Sequence, residues 1–172
     1  TPTFHGVVAR RAWAGDHADV LNAFLRAQLD ATQFIHDHTL QASQIVAGAT
    51  GLPAEVVYLY NGPGGTSFDT TLKPSLITAL AGDVPYWKSI GDFADLDVPG
   101  FVNDQPLRKA FADQGANYDA DLANVANPTP GTAGELWLAG ETQTHPYASA
   151  KELIAAVHTA KAQGKTVRAA YI

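Results

Sequence analysis

The segment Tyr58-Leu59-Tyr60-Asn61-Gly62-Pro63-Gly64-Gly65-Thr66 holds the residue types best suited to contact a ligand. Glycines let a backbone come close to a bound molecule and leave its N–H groups open. Successive N–H groups in such a turn form a concavity that attracts anions. Tyr60, Asn61 and Thr66 add hydrogen-bonding side chains. The expected ligand-binding set is Tyr60, Asn61, Gly62, Gly64 and Thr66, joined by His5, which stands next to Gly6 in a short apolar run. A helix end followed by a plain surface turn explains the same composition, because Gly and Pro mark turns generally. The segment is not a phosphate loop, since the Gly-Lys-Ser/Thr ending is missing.

Other chemistries find less support. His36 and His38 are two apart, and such pairs do not share a helical face. No His-Glu-x-x-His pattern occurs, so no metal is expected, and no organic cofactor is implied. His145 falls on a loop of the tail, where α/β units often carry sites. The carboxylate pairs Asp95 with Asp97 and Asp119 with Asp121 lack a nearby base. There are no cysteines, which removes disulfides, thiolate metal sites and a Cys nucleophile. No Gly-x-Ser-x-Gly elbow is present. Thr1 matches N-terminal Thr nucleophiles only in position, because the strand content is too low for their fold.

The elements that must position these residues follow from periodicity. Residues 4–10 read as a strand. Asp16 is expected to cap a helix whose inner face is Val20, Leu21, Phe24, Leu25, Leu29, Thr32 and Ile35. Leu40–Ala49 and Glu55–Tyr60 read as helices, with Ile45 and Val46 inward, Gly51 closing the first and Pro53 opening the second. Pro74 starts a helix that Pro85 should kink or end. Residues 93–104 read as irregular and Pro106–Phe111 as helical. After the Asn127–Gly134 linker, Glu135–Leu138, a helix capped by Ser149 with Glu152, and Thr166–Ile172 suggest a right-handed βαβ unit.

Composition sets outer bounds. The 172 residues carry a formal charge of −6, from 11 basic and 17 acidic side chains. No basic run exists, so nucleic acid and an anionic membrane surface are not expected partners. No apolar stretch nears the roughly 20 residues of a membrane span. The chain has no Met and starts at Thr1, so it is expected to be a processed or trimmed product.

Several local patterns together resemble the C-terminal part of ABC-transporter solute-binding proteins of the nitrate, sulfonate and taurine class. They are Val7-Val8-Ala9-Arg10-Arg11, Val20–Ala27, Thr50–Val57, Phe68–Pro74 and Leu96-Asp97-Val98. The resemblance covers residues 4–111. It implies a mainly helical α/β chain belonging to a two-lobed, periplasmic-binding-protein-like (type II) fold, with residues 1–10 near the hinge. Residues 1–126 would form that region, and 127–172 a linker and small βαβ appendage. It also implies a small solute as ligand, a missing N-terminal lobe or companion chain, a transporter permease as partner, no membrane insertion, and a periplasmic or cell-surface location. The alternatives are an enzyme on the same scaffold, desulfinase-like or thiamine-pyrimidine-synthase-like with His5 or His145 as acid–base group, or a subunit of a heteromeric assembly.

Overall fold

A computed structural model describes residues 6–63, 65, 68–91, 94–123 and 132–172. They are α/β and mainly helical, with one small antiparallel sheet. The chain divides into two compact units. One comprises residues 1–30 and 70–125, the other 31–69 and 126–172.

The first unit holds α1 (Arg11–Asp16), the opening turns of α2 (Ala18–Asp37), α5 (Pro74–Ile90), α6 (Val98–Phe101), α7 (Gln105–Asp113) and α8 (Tyr118–Ala123). Its core is Leu25 and Leu29 of α2 against Ala110, Phe111 and Tyr118. The Phe111 and Tyr118 rings meet edge to face at 5.2 Å, the arrangement that ring quadrupoles favour. Arg108 lies over the Tyr118 ring and bridges Asp104 and Asp119, both at 2.8 Å.

Several expectations change here. Residues 6–10 form no strand, and Val7 and Val8 are exposed. A strand needs a neighbour to take its amides, and none is found among the described residues. Asp16 ends α1 instead of capping α2, because His17 leaves helical geometry at φ −128 and ψ 42. Val20 and Phe24 remain exposed although they share helical spacing with Leu25. The helix α5 runs through Pro85 to Ile90, and none of its 17 residues is buried. The segment expected to be irregular contains α6, whose first turn Asp97 caps by accepting from the Gly100 N–H at 3.2 Å.

The second unit holds the end of α2, then α3 (Thr39–Thr50), α4 (Ala54–Asn61), β1 (Gly134–Leu138), β2 (His145–Tyr147), α9 (Ala150–Ala162) and β3 (Val167–Tyr171). Gly51 closes α3 at φ +75, as its position predicted. Ile45, expected inward, is exposed. Its neighbours Ala42 and Ser43 are buried instead.

The sheet order is β2-β1-β3, with both outer strands antiparallel to β1. This corrects the expected βαβ unit, which requires β1 and β3 to be parallel. The tail segment read as a loop supplies β2, and this hairpin reverses the chain before α9 begins. The strands flanking α9 are therefore β2 and β3, which run the same way with β1 between them. β1 is buried on both faces. Trp137 packs with Leu40, Ala54, Tyr58, Ala169 and Tyr171. Leu136 and Leu138 pack with Leu153, Ala160 and Val157. At α9 Ser149 Oγ caps by accepting from Glu152 N–H at 3.2 Å, as expected, but the Glu152 carboxylate accepts from Ala148 N–H rather than from Ser149 N–H, so the reciprocal half of the capping box shifts by one residue.

Candidate functional site

The glycine turn grows out of the C-terminal end of α4. Two residues apart on a helix, Tyr58 and Tyr60 point to different sides: Tyr58 is 4% exposed and Tyr60 is 65% exposed. Asn61 is half-buried and Gly62 buried. The Gly62 N–H donates to Tyr58 O at 2.7 Å, and the Gly65 N–H to Gly62 O at 2.9 Å. A Cβ at Gly62 would stand 2.5 Å from the Tyr58 carbonyl oxygen, so close approach of backbone to backbone demands glycine there. Two of the amides that an anion-holding turn would offer are thus taken up in closing the helix. His5, Gly64 and Thr66 lie outside the described residues. His36 lies near the end of α2. Its ring Nε2 donates to Phe68 O at 3.2 Å, which ties the far side of the turn to α2.

Behind the turn lies a polar network that the sequence did not single out. The Tyr58 hydroxyl donates to Glu135 Oε2 at 2.5 Å and sits 3.0 Å from Thr144 Oγ1. Thr144 reaches the same carboxylate oxygen at 3.3 Å. Burial raises the Tyr58 pKa well above the ordinary phenol range, and the bond to Glu135 adds to the rise. The Tyr171 ring stands 5.0 Å from that of Tyr58, and its hydroxyl donates to Glu55 O at 3.1 Å. Burial pushes its pKa up to about 12.

A β-bulge completes the arrangement. Ala169 pairs with Trp137 and Val167 with Leu138, so Arg168 is the extra residue. Its guanidinium lies 4.4 Å from the centre of the Trp137 ring and bonds Glu55. That bond holds the Glu55 carboxyl below its usual range. The Trp137 Nε1 is buried and finds no partner among the described residues. The strand alternation that puts Glu135, Trp137 and Tyr171 on one face was readable, but its α4 partners were not.

Two open concavities stand apart from the turn. The β1–β2 hairpin, residues 140–145, lines one of about 340 Å³. There His145, expected on a loop, begins β2 and pairs with Glu141. The other, about 520 Å³, lies beside Trp13 and His17 in the first unit. Neither is lined by Tyr60, Asn61 or Gly62. Among the described residues no three His, Asp or Glu side chains are grouped to hold a metal ion. No described helix is long and apolar enough to cross a membrane. No family model, curated protein or solved structure matches this chain.

Proposed function

We propose that this chain is part of a solute-binding protein that delivers a small anionic or heterocyclic solute to an ABC-transporter permease, at the periplasmic or cell surface. The observation that carries the reading is α5. It is a 17-residue helix with Leu76, Ile77, Leu80, Tyr86, Trp87 and Ile90, yet it buries none of them fully. A helix so apolar normally packs on both sides. Exposed apolar surface of this kind marks a site of association. A second lobe or a companion chain, which the two-lobed fold supplies, would cover it. The patterns at 7–11, 20–27, 50–57, 68–74 and 96–98 support the same reading.

The test is a thermal-shift screen of the full-length protein against nitrate, taurine, alkanesulfonates and aminopyrimidines. A solute at a hundred times its Kd stabilises the binding-competent fold by about 2.7 kcal/mol. A clear rise in Tm with one of these classes is expected. No rise with any of them at millimolar concentration overturns the proposal.

A further inference from the structure

We infer that the concavity beside Trp13 is a binding site for a small planar aromatic molecule carrying both an anionic and a cationic group. The inference deepens the solute-binding reading and rests on it. The concavity measures about 520 Å³ and is lined by Val8, Arg10, Trp13, Asp16 and His17, among others. Small-molecule sites run from roughly 300 to 1,000 Å³. His17 stacks on the Trp13 indole, with centroids 5.0 Å apart and planes 10° from parallel. The His17 ring is held there by its Nδ1, which donates to Trp13 O at 3.1 Å. The indole therefore stands braced, yet 41% of Trp13 is exposed. Trp is usually among the more buried residues.

The concavity is lined by charge of both signs. Arg10 and Asp16 both line the space, and neither side chain has a hydrogen bond or ion pair among the described residues. Within the same unit Arg108 is shared between Asp104 and Asp119, and Lys109 pairs with Asp113. A guanidinium offers a planar fork to a carboxylate or sulfonate. A carboxylate suits an ammonium, and an indole face suits a flat ring or a cation. A ligand with a ring between two opposite charges uses all three at once.

The experiment is isothermal titration of the full-length protein with 4-(aminomethyl)benzoate. Benzoate, benzylamine and taurine each lack one of the three features and serve as comparisons. The expected result is that 4-(aminomethyl)benzoate binds at least tenfold more tightly than any comparison. Trp13→Leu should weaken it fivefold or more with Tm unchanged. Arg10→Gln should bring it to the level of benzylamine, and Asp16→Asn to that of benzoate. If taurine or another solute of the screen binds and Trp13→Leu leaves that binding untouched, the site is overturned while the solute-binding reading stands. If no aromatic probe gives heat at millimolar concentration while the screen still shifts Tm, the site is likewise overturned. If the screen also fails, both readings fall.

Discussion

Tyr58→Phe removes one oxygen and keeps the ring, so it isolates the hydroxyl that ties α4 to β1. In the native chain that hydroxyl donates to the Glu135 carboxylate at 2.5 Å. Hydrogen bonds to charged groups contribute about 1.5–3 kcal/mol. Part of this returns in the variant, because Thr144 still reaches the same oxygen at 3.3 Å. The ring contacts with Trp137 and Tyr171, at 5.9 and 5.0 Å, are retained, so no large cavity opens. The net cost is about 2 kcal/mol. For a chain of this size that lowers Tm by roughly 4–8 °C. Guanidinium unfolding of the wild type, Tyr58→Phe, Glu135→Gln and the double variant measures the coupling directly. Partners in one network show interaction energies of about 0.5–3 kcal/mol. A Tyr58→Phe cost below about 0.5 kcal/mol, with the two substitutions strictly additive, would refute the claim that this bond holds the helix to the sheet.

Alkaline stability should follow three phenols whose pKa burial raises, Tyr58, Tyr118 and Tyr171. Their pKa values in the fold lie above the ordinary 10, so above pH 10 the unfolded chain loses protons that the native state retains. Stability should then hold up to about pH 10 and fall as pH rises further, by at most about 1.4 kcal/mol per pH unit for each phenol. Unfolding measured from pH 9 to 12 checks this, and Tyr58→Phe or Tyr171→Phe should flatten the fall. Arg168→Met removes both the Glu55 pair and the stack on Trp137, and should cost about 0.5–1.5 kcal/mol at neutral pH. Because Arg168 lowers the Glu55 pKa below 4.5, the ion-pair part is present above pH 4.5 and disappears as pH falls through the lowered value, leaving the stack on Trp137; an acid titration of both proteins reads the narrowing of the difference. Gly62→Ala should destabilise by about 1–3 kcal/mol, since its Cβ would press on the Tyr58 carbonyl. Gly48→Ala, on exposed α3 backbone with nothing within 4 Å, should stabilise by up to about 1 kcal/mol in the same melts.

The elements that could be read from the chain are those whose signals are local. Gly51 ends α3 because its left-handed φ suits only a residue without Cβ. Ser149 starts α9 because its hydroxyl lies within one turn of the Glu152 amide it accepts from. The run Glu135–Leu138 reads as a strand and forms β1. Pro85 does not end α5, which continues past it to Ile90. Of the expected ligand-binding residues, the structure describes Tyr60, Asn61 and Gly62, and the Gly62 and Gly65 amides are bonded to the carbonyls of Tyr58 and Gly62, a fact no composition could reveal.

The sequence by itself determined the helical character, several helix ends and the existence of β1, because helix periodicity, glycine φ and short apolar runs act over a few residues. Only the tertiary structure decided that β3 lies antiparallel to β1, that Tyr58 meets Glu135 from 77 residues away, and that Arg168 bulges out over Trp137. Those outcomes depend on strand direction, register and distant partners. Such choices are made by packing between segments far apart in the chain, and no window of neighbouring residues carries them.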